Sequence, residues 1–190
     1  MIPNADAVNF PELFIGIAGP VGVDMEALVK SVTAELERVR YQCHEVRITD
    51  LMENHIRTSE LITNPDYADL MFSKIDRGNI LCKDDGAFLA RLAVREIAKI
   101  RQTIVKKIND NSPSKDTEIP PSTAYIIRQL KRPHEVELLR KIYAKQFILI
   151  SAYGSEENRK ARLEEKIRNS TSTMRLASDI KAKAERLIER

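Results

Sequence analysis

The chain has 190 residues, of which 43% are hydrophobic and 31% are charged, and its formal net charge is +3. This composition is typical of one soluble globular domain, and so small a net charge gives no argument for a nucleic-acid-binding protein. Cys43 and Cys82 lie far apart with no CxxC pair, which argues against a zinc motif and favours reduced thiols. Since no segment resembles a signal peptide or a membrane span, we expect a cytoplasmic protein.

After an N-terminal arm over residues 1–12, the sequence predicts a strand, a tight turn and a helix. Leu13 to Ala18 is an apolar run of strand length, Gly19-Pro20-Val21-Gly22 breaks it, and Asp24 precedes a long amphipathic pattern. A turn of this kind points backbone N–H groups at an anion, and the helix N-terminus adds roughly half a positive charge. The sequence therefore suggests a phosphate-binding loop.

The loop lacks three residues of the phosphate-loop pattern. Alignment by Gly19 places Asp24 at the last glycine, Met25 at the lysine and Glu26 at the Ser/Thr. The lysine would contribute a charge-assisted hydrogen bond worth about 1.5–3 kcal/mol, and the hydroxyl normally holds magnesium. Two interpretations stay open: the loop binds phosphate through its backbone, or Asp24 caps the helix at a turn that binds nothing.

Further strands are predicted over residues 42–49, 122–130 and 146–153, and helices over about 66–82, 87–108, 134–144, 155–169 and 174–190. Asp50 and Glu53 have the spacing of a capping box, so Asp50 is predicted to be a helix cap rather than a metal ligand. Residues 109–121 and 170–173 are predicted loops. Alternation of strands with helices predicts an α/β fold, with three α/β/α layers around a mostly parallel sheet.

Two helices carry many basic residues. Arg91, Arg95 and Lys99 recur every four residues, and we favour a solvated face paired with acids such as Glu96 over a basic wall of a nucleotide cleft. Arg101 lies near the buried edge, where solvation explains it less well. In the helix after Ser155, acids at positions 156, 157, 164 and 165 offer local partners, so most of its basic residues are predicted to be solvated.

Ligands of parallel sheets bind at the carboxyl ends of the strands. This edge is predicted to collect residues 19–24, 128–132 and 153–159. Arg128 and Gln129 end the third strand, where nucleotide-hydrolysing proteins have an acid that positions magnesium. The candidate phosphate-binding residues are Gly19, Pro20, Val21, Gly22, Val23, Asp24, Arg128, Lys131, Arg132 and Arg159.

Four segments together resemble one protein family. They are the loop GPVGVD, the helix FLARLAVREIAKIR, the segment YIIRQLKRPHEVELLRKIYAKQFILISAY and the run SEENRKARLEEKI. The chain over residues 12–190 resembles the N-terminal part of bacterial deoxycytidylate (dCTP) deaminases of the anti-phage type, and LKRPHEVELLRKIY is the most specific piece.

The resemblance implies a fold and a function. Residues 13–170 would form a phosphate-loop domain like that of nucleoside-monophosphate kinases, and residues 171–190 a helix leading to a zinc deaminase domain that this sequence does not contain. Deaminase chemistry needs H-x-E and P-C-x-x-C, and neither motif occurs here. We therefore expect a regulatory, nucleotide-binding domain of an enzyme that depletes deoxycytidine nucleotides during phage infection.

Implied partners are a nucleotide (ATP or a dNTP), the deaminase domain, an inhibitory RNA and further copies of the chain, with no membrane; zinc is expected only in the deaminase domain. Two alternatives stay open. One is an active deoxynucleoside monophosphate kinase with an unusual loop, and the other is a non-catalytic domain that contacts RNA or another protein.

Overall fold

A computed structural model describes residues 10–53, 55, 65–111, 118–170 and 176–190 of the chain. Several predicted features lie outside these residues: positions 1–9 of the N-terminal arm, Asn64 at a predicted helix start, 112–117 of a predicted loop, and 171–173 of the break before the last helix.

The described residues contain a four-stranded sheet in which every pairing is parallel. Its strands are β1 (Leu13–Ala18), β2 (Gln42–Arg47), β3 (Thr123–Leu130) and β4 (Phe147–Ser151), in the order β2-β3-β1-β4. β1 and β3 are central, which agrees with their nearly continuous apolar sequences. The predicted α/β fold with a parallel sheet is confirmed.

The helices are α1 (Met25–Arg38), α2 (Ile48–Glu53), α3 (Tyr67–Leu81), α4 (Phe88–Asn111), α5 (Pro133–Tyr143), α6 (Glu156–Asn169) and α7 (Ala177–Ile188). Two predicted caps are confirmed, since Asp24 accepts a hydrogen bond from the Ala27 N–H and Ser155 accepts one from the Asn158 N–H. Among the described residues, no helix combines the length and apolarity needed to cross a membrane.

Several boundaries were predicted incorrectly. β4 ends at Ser151, two residues before the predicted end of that strand. β2 ends at Arg47, and the alternating pattern that seemed to extend it includes Ile48, which begins α2 and is 2% exposed in the core. Asp50 therefore lies in the first turn of α2 and is not its cap. α4 continues to Asn111, into the predicted loop. Leu176 was predicted to face inward from the last helix, but it precedes α7 and is exposed.

The sheet lies between two helical layers. On one face, Ile15, Ile17 and Ile126 pack against Met25 and Val29 of α1. On the other face, residues of β1 and β3 pack against α4 and α5 through Phe14, Tyr125, Ile127, Ala93, Ile97 and Leu139. A further apolar cluster joins α3, α6 and α7 through Ala68, Leu163, Ile167, Ala184 and Leu187, and Val21 of the loop packs against it.

The charged residues of α4 divide as predicted. Arg91 pairs with Asp85 at 2.8 Å and Lys99 with Glu96 at 2.9 Å, both on the exposed face. Arg101 instead pairs with Glu12, a buried carboxylate that also accepts a hydrogen bond from the Tyr125 hydroxyl. Arg101 thus attaches the start of the described chain to α4 and β3.

Candidate anion-binding site

A cleft of about 1330 Å³ opens beside the loop between β1 and α1. We call it the basic cleft. Its lining includes every candidate residue of the sequence analysis: Gly19, Pro20, Val21, Gly22, Val23, Asp24, Arg128, Lys131, Arg132 and Arg159. Because parallel strands all end at the same edge of the sheet, residues from both halves of the sequence meet here.

The loop presents unpaired backbone donors. Within the described part of the chain, the N–H groups of Val21, Gly22, Val23 and Asp24 donate no hydrogen bond to protein. Gly22 has φ +89°, a conformation that favours glycine, and a Cβ there would lie 2.8 Å from the Arg159 Cβ. The loop thus offers four amides beside the N-terminus of α1, which is the arrangement that binds anions.

Asp24 is both a helix cap and part of this site. Its Oδ1 accepts the Ala27 N–H at 3.0 Å, and its Oδ2 accepts a hydrogen bond from Nη2 of Arg162. The hydrogen bond from Ala27, and then that from Arg162, lower the pKa of Asp24. The carboxylate is therefore ionised at neutral pH and lies among the loop amides.

Arg128 is the most buried cation of the basic cleft, at 7% exposure. Its Nη1 donates to Glu45 Oε1 at 2.7 Å, and its Nη2 lies 4.0 Å from Glu26 Oε1. Burial alone would raise the pKa of Glu45, but hydrogen bonds from Arg128 and Arg47 outweigh it and lower that pKa. The buried Nε of Arg128 has no hydrogen-bond partner among the described residues, and a ligand oxygen that reached it would satisfy this donor.

Two of the predicted cations hold the loop itself. The Lys131 ammonium donates to the carbonyl of Gly19. Arg159 donates from Nε to Gly154 O at 3.2 Å and from Nη1 to Val21 O at 3.1 Å. Arg159 therefore positions the loop as well as contributing charge.

Lys131 lies in an unusual electrostatic environment. The residue as a whole is exposed, but protein atoms crowd its ammonium, and this desolvation lowers its pKa. Repulsion from Arg159 acts in the same direction, while Glu135 opposes it. An anion that bound here would restore the stability of the charged form.

Arg132 is engaged by its neighbours. Its Nη2 donates to Asn79 Oδ1 at 2.7 Å, and its Nη1 lies 3.7 Å from Glu135 Oε1. The buried Glu135 carboxylate also accepts the backbone N–H groups of Lys131 and Arg132, at 2.7 and 3.0 Å. The N-terminus of α5 is therefore already occupied by a protein carboxylate, and the free amides of the basic cleft belong to the loop.

Several cations of the basic cleft were not among the predicted site residues. Arg162 and Lys166 of α6 line it together with Arg159, as do Lys30, Arg47, Lys74 and Arg190. Arg159 was predicted to lie here, but Arg162, for which acids of its own helix were the predicted partners, pairs with Asp24 of the loop. Residues 159, 162 and 166 share one face of α6. Spacings of three and four place these residues on one side of a helix, and this was the signal that could have identified them.

Lys and Arg outnumber Asp and Glu in the lining by ten to three among the described residues. The three acids are Asp24, Glu26 and Asp50. Such an excess inside a concave surface focuses positive potential on the loop and attracts anions.

The lining of the basic cleft also includes apolar side chains. Side chains from α2, α3, α4, β3 and α5 line it, namely Ile48, Met52, Ile75, Leu89, Leu130 and Val136. Ligand pockets commonly span about 300–1,000 Å³ with mostly apolar walls and a few polar groups. The cleft therefore has room for an organic group attached to an anion bound at the loop.

A bulge shapes the end of β3. The register between β1 and β3 shifts after Ile17, and Gln129 has φ +74°, which is strained for a residue with a side chain. Gln129 accepts a hydrogen bond from the Thr49 hydroxyl at 3.1 Å. Because of the extra residue, both Arg128 and Lys131 reach the cleft from one short segment.

We find no group of side chains in the described part of the chain that would ligate a metal ion. Among the described residues, no three His, Cys, Asp or Glu side chains come together as a group that could hold a metal ion. The position at the end of β3 that carries an acid in nucleotide-hydrolysing proteins carries Arg128 and Gln129, as the sequence analysis noted.

In comparisons with known proteins, no family model matches the chain and no curated protein matches it. The resemblance to anti-phage deoxycytidylate deaminases therefore stays a prediction from the sequence segments quoted above.

Proposed function

We propose that the chain is a nucleotide-binding domain with a degenerate phosphate loop, which binds a phosphorylated nucleoside without transferring its phosphate. The observation that supports this proposal is the set of four unpaired loop amides at a cleft that Arg128, Lys131, Arg162 and Lys166 also line. The amides and cations suit phosphate oxygens. The apolar side chains that line the basic cleft suit the attached nucleoside.

Binding without transfer follows from the groups at the loop. Asp24, Met25 and Glu26 stand where an active loop has its glycine, lysine and hydroxyl. Phosphoryl transfer depends on positioned cations and magnesium that neutralise charge in the transition state. Here Glu26 and Asp24 add negative charge at the same place, which opposes that neutralisation.

The experiment is a calorimetric titration of the chain with ATP, dCTP and dCMP, in the presence and absence of magnesium. We expect saturable binding of at least one of them. Arg162→Gln should weaken it by about ten- to a hundredfold, the value of one charge-assisted hydrogen bond. Arg91→Gln, an exposed arginine of α4 outside the basic cleft, serves as the matched control and should leave affinity unchanged. No binding of any of the three at millimolar concentration would overturn the proposal.

One observation favours a second candidate, a deoxynucleoside monophosphate kinase. Lys131 brings an ammonium to the carbonyl of Gly19 from the end of β3, so the loop has a lysine neighbour from another element. A coupled assay with ATP and dCMP tests this candidate. Phosphate transfer by the unmodified chain that is lost in Lys131→Met would support the kinase over binding alone. No transfer by the unmodified chain would exclude the kinase.

We further propose that nucleotide binding here regulates a zinc-dependent deoxycytidylate deaminase in anti-phage defence, as the sequence resemblance implies. Leu187 and Ile188 in the last turn of α7, and Arg190 just after it, line the basic cleft. A ligand there would contact the helix that leads to residue 190. The coding sequence after Arg190 tests this part: H-x-E and P-C-x-x-C downstream would support it, and an immediate stop codon would contradict it.

A further inference from the structure

Asp24 already forms hydrogen bonds with two of the groups that an anionic ligand would use. Its Oδ1 accepts a hydrogen bond from the N–H of Ala27 at the start of α1, and its Oδ2 accepts one from the guanidinium of Arg162. An N-terminal N–H and an arginine are the usual partners of a bound phosphate. In the free chain, a protein carboxylate therefore already holds both.

The contact between Asp24 and Arg162 can be exchanged. Their side chains are 40% and 35% exposed, and ion pairs with this much solvent contact contribute little to stability. α6 is anchored independently of this pair, because Leu163 and Ile167 are fully buried and Arg159 is bonded to the loop. The Arg162 guanidinium can therefore change partner while α6 stays in place.

We propose that Asp24 is an internal competitor of the ligand: a phosphate at the loop takes Arg162 from Asp24, so that Asp24 lowers the affinity of the site. This inference rests on the proposed function and adds a regulatory residue to it. Lys166 lies close enough to Asp24 to interact with its charge, and it would gain the same ligand. The Asp24 cap on Ala27 is retained in both states.

Asp24→Asn is the informative variant because asparagine caps a helix about as well as aspartate does. It removes the charge that competes for Arg162 and repels phosphate, without removing the cap. Glu35→Gln is the matched control, since it removes one charge from the same helix at a residue that does not line the basic cleft. Glu35 is exposed and pairs with Arg38, so it does not compete for Arg162.

The probes are inorganic tripolyphosphate and ATP, titrated in EDTA at constant ionic strength, with thermal melting to confirm that each variant is folded. Asp24→Asn should bind both probes roughly tenfold more tightly than the unmodified chain. Glu35→Gln should change affinity by no more than about twofold. In an Arg162→Gln background the gain from Asp24→Asn should shrink, because the two residues are coupled.

Three outcomes overturn the inference while leaving the proposed function intact: equal affinity of Asp24→Asn and the unmodified chain, an equal gain from Glu35→Gln, or an undiminished gain without Arg162. Binding by Asp24→Asn with none by the unmodified chain would support competition in its strongest form. If neither binds either probe, the proposed function and this inference both fail.

Discussion

The ammonium of Lys131 donates a hydrogen bond to the carbonyl oxygen of Gly19, although the two residues are 112 positions apart in sequence. Gly19 begins the loop after β1, and Lys131 follows β3, the neighbouring strand. The pairing of the two central strands thus places a lysine at a loop that has none of its own. Lys131 is therefore central to two of our predictions.

We expect Lys131→Met to weaken ATP binding by about ten- to a hundredfold, the value of one charge-assisted hydrogen bond. Lys131→Arg keeps a cation at this position and should retain most of the affinity. Calorimetric titration of the two variants at pH 7.5 measures the difference. Unchanged affinity of Lys131→Met would show that Lys131 only supports the loop backbone.

ATP affinity should also fall at alkaline pH. Crowding by protein lowers the pKa of Lys131 below the ordinary lysine value of 10.5, so its positive charge is lost at a lower pH than on an exposed lysine. The terminal phosphate has a second pKa of about 6 and does not change charge in this range. Dissociation constants measured from pH 7.5 to 10 should rise for the unmodified chain and stay nearly flat for Lys131→Arg. Parallel curves would contradict the assignment to Lys131.

Gly22→Ala should destabilise the protein by about 1–3 kcal/mol. The backbone of Gly22 has φ +89°, which is strained for alanine, and the new Cβ would lie 2.8 Å from both the Cβ and the carbonyl oxygen of Arg159. Gly78→Ala is the comparison, because a Cβ there meets only Met52 and Leu89 at 3.6 and 3.9 Å within α3. That change should stabilise by about 0.5–1 kcal/mol. Urea unfolding of both variants measures whether each change lowers or raises the free energy of unfolding. A tolerated Gly22→Ala would mean that the loop can adopt another conformation.

Arg101→Met should destabilise the protein by about 3 kcal/mol, because it breaks the ion pair with the buried Glu12. We take the lower end of the range for buried pairs because the Arg101 side chain is about one-third exposed. The change leaves the Glu12 carboxylate, which is 3% exposed, with only the Tyr125 hydroxyl as a hydrogen-bond donor among the described residues. Burial raises the pKa of Tyr125, so this hydroxyl stays protonated.

The control for Arg101 is Arg91→Gln, which breaks the exposed pair with Asp85 on the same helix. Exposed pairs contribute about 0–1 kcal/mol, so this variant should unfold at nearly the same denaturant concentration as the unmodified chain. If the two variants lose similar stability, the buried pair has no special role.

Much of the fold could be predicted because local patterns and tertiary packing agree in this chain. The apolar run Leu13–Ala18, broken by Gly19-Pro20, could scarcely be anything but a strand followed by a turn, and Asp24 is a cap by residue type. Ile48 was placed wrongly because alternation alone cannot distinguish the end of a buried strand from the first residue of a helix that also faces the core.

The candidate site was only partly predictable, because its ion pairs join distant parts of the sequence. Arg162 has acids nearby on its own helix, so a local pair explained it. Its partner in the structure is Asp24, 138 positions away. The position of Lys131 at Gly19 depends likewise on the bulge at Gln129, and no sequence pattern indicates a positive φ at a glutamine. Contacts that depend on strand register are not visible in single-sequence periodicity.

Nucleotide binding should slow amide hydrogen exchange in the last turn of α7. Arg190 lines the basic cleft, pairs with Asp76 and lies 5.5 Å from the centre of the Phe72 ring. If local opening of this turn requires release of the ligand, ATP at 100 times its dissociation constant should slow exchange by about a hundredfold. The C-terminal half of α4, which does not line the cleft, provides an internal reference.

Arg190→Gln should weaken ATP binding and remove this protection. Arg186→Gln is a matched control, because Arg186 lies over the same Phe72 ring at 5.1 Å but does not line the cleft. Equal effects of the two variants would indicate that packing of α7 on Phe72, rather than contact with the ligand, governs exchange. Protection that needs Arg190 alone would show that ligand binding in the basic cleft is transmitted to the C-terminal end of α7, as regulation of a following domain requires.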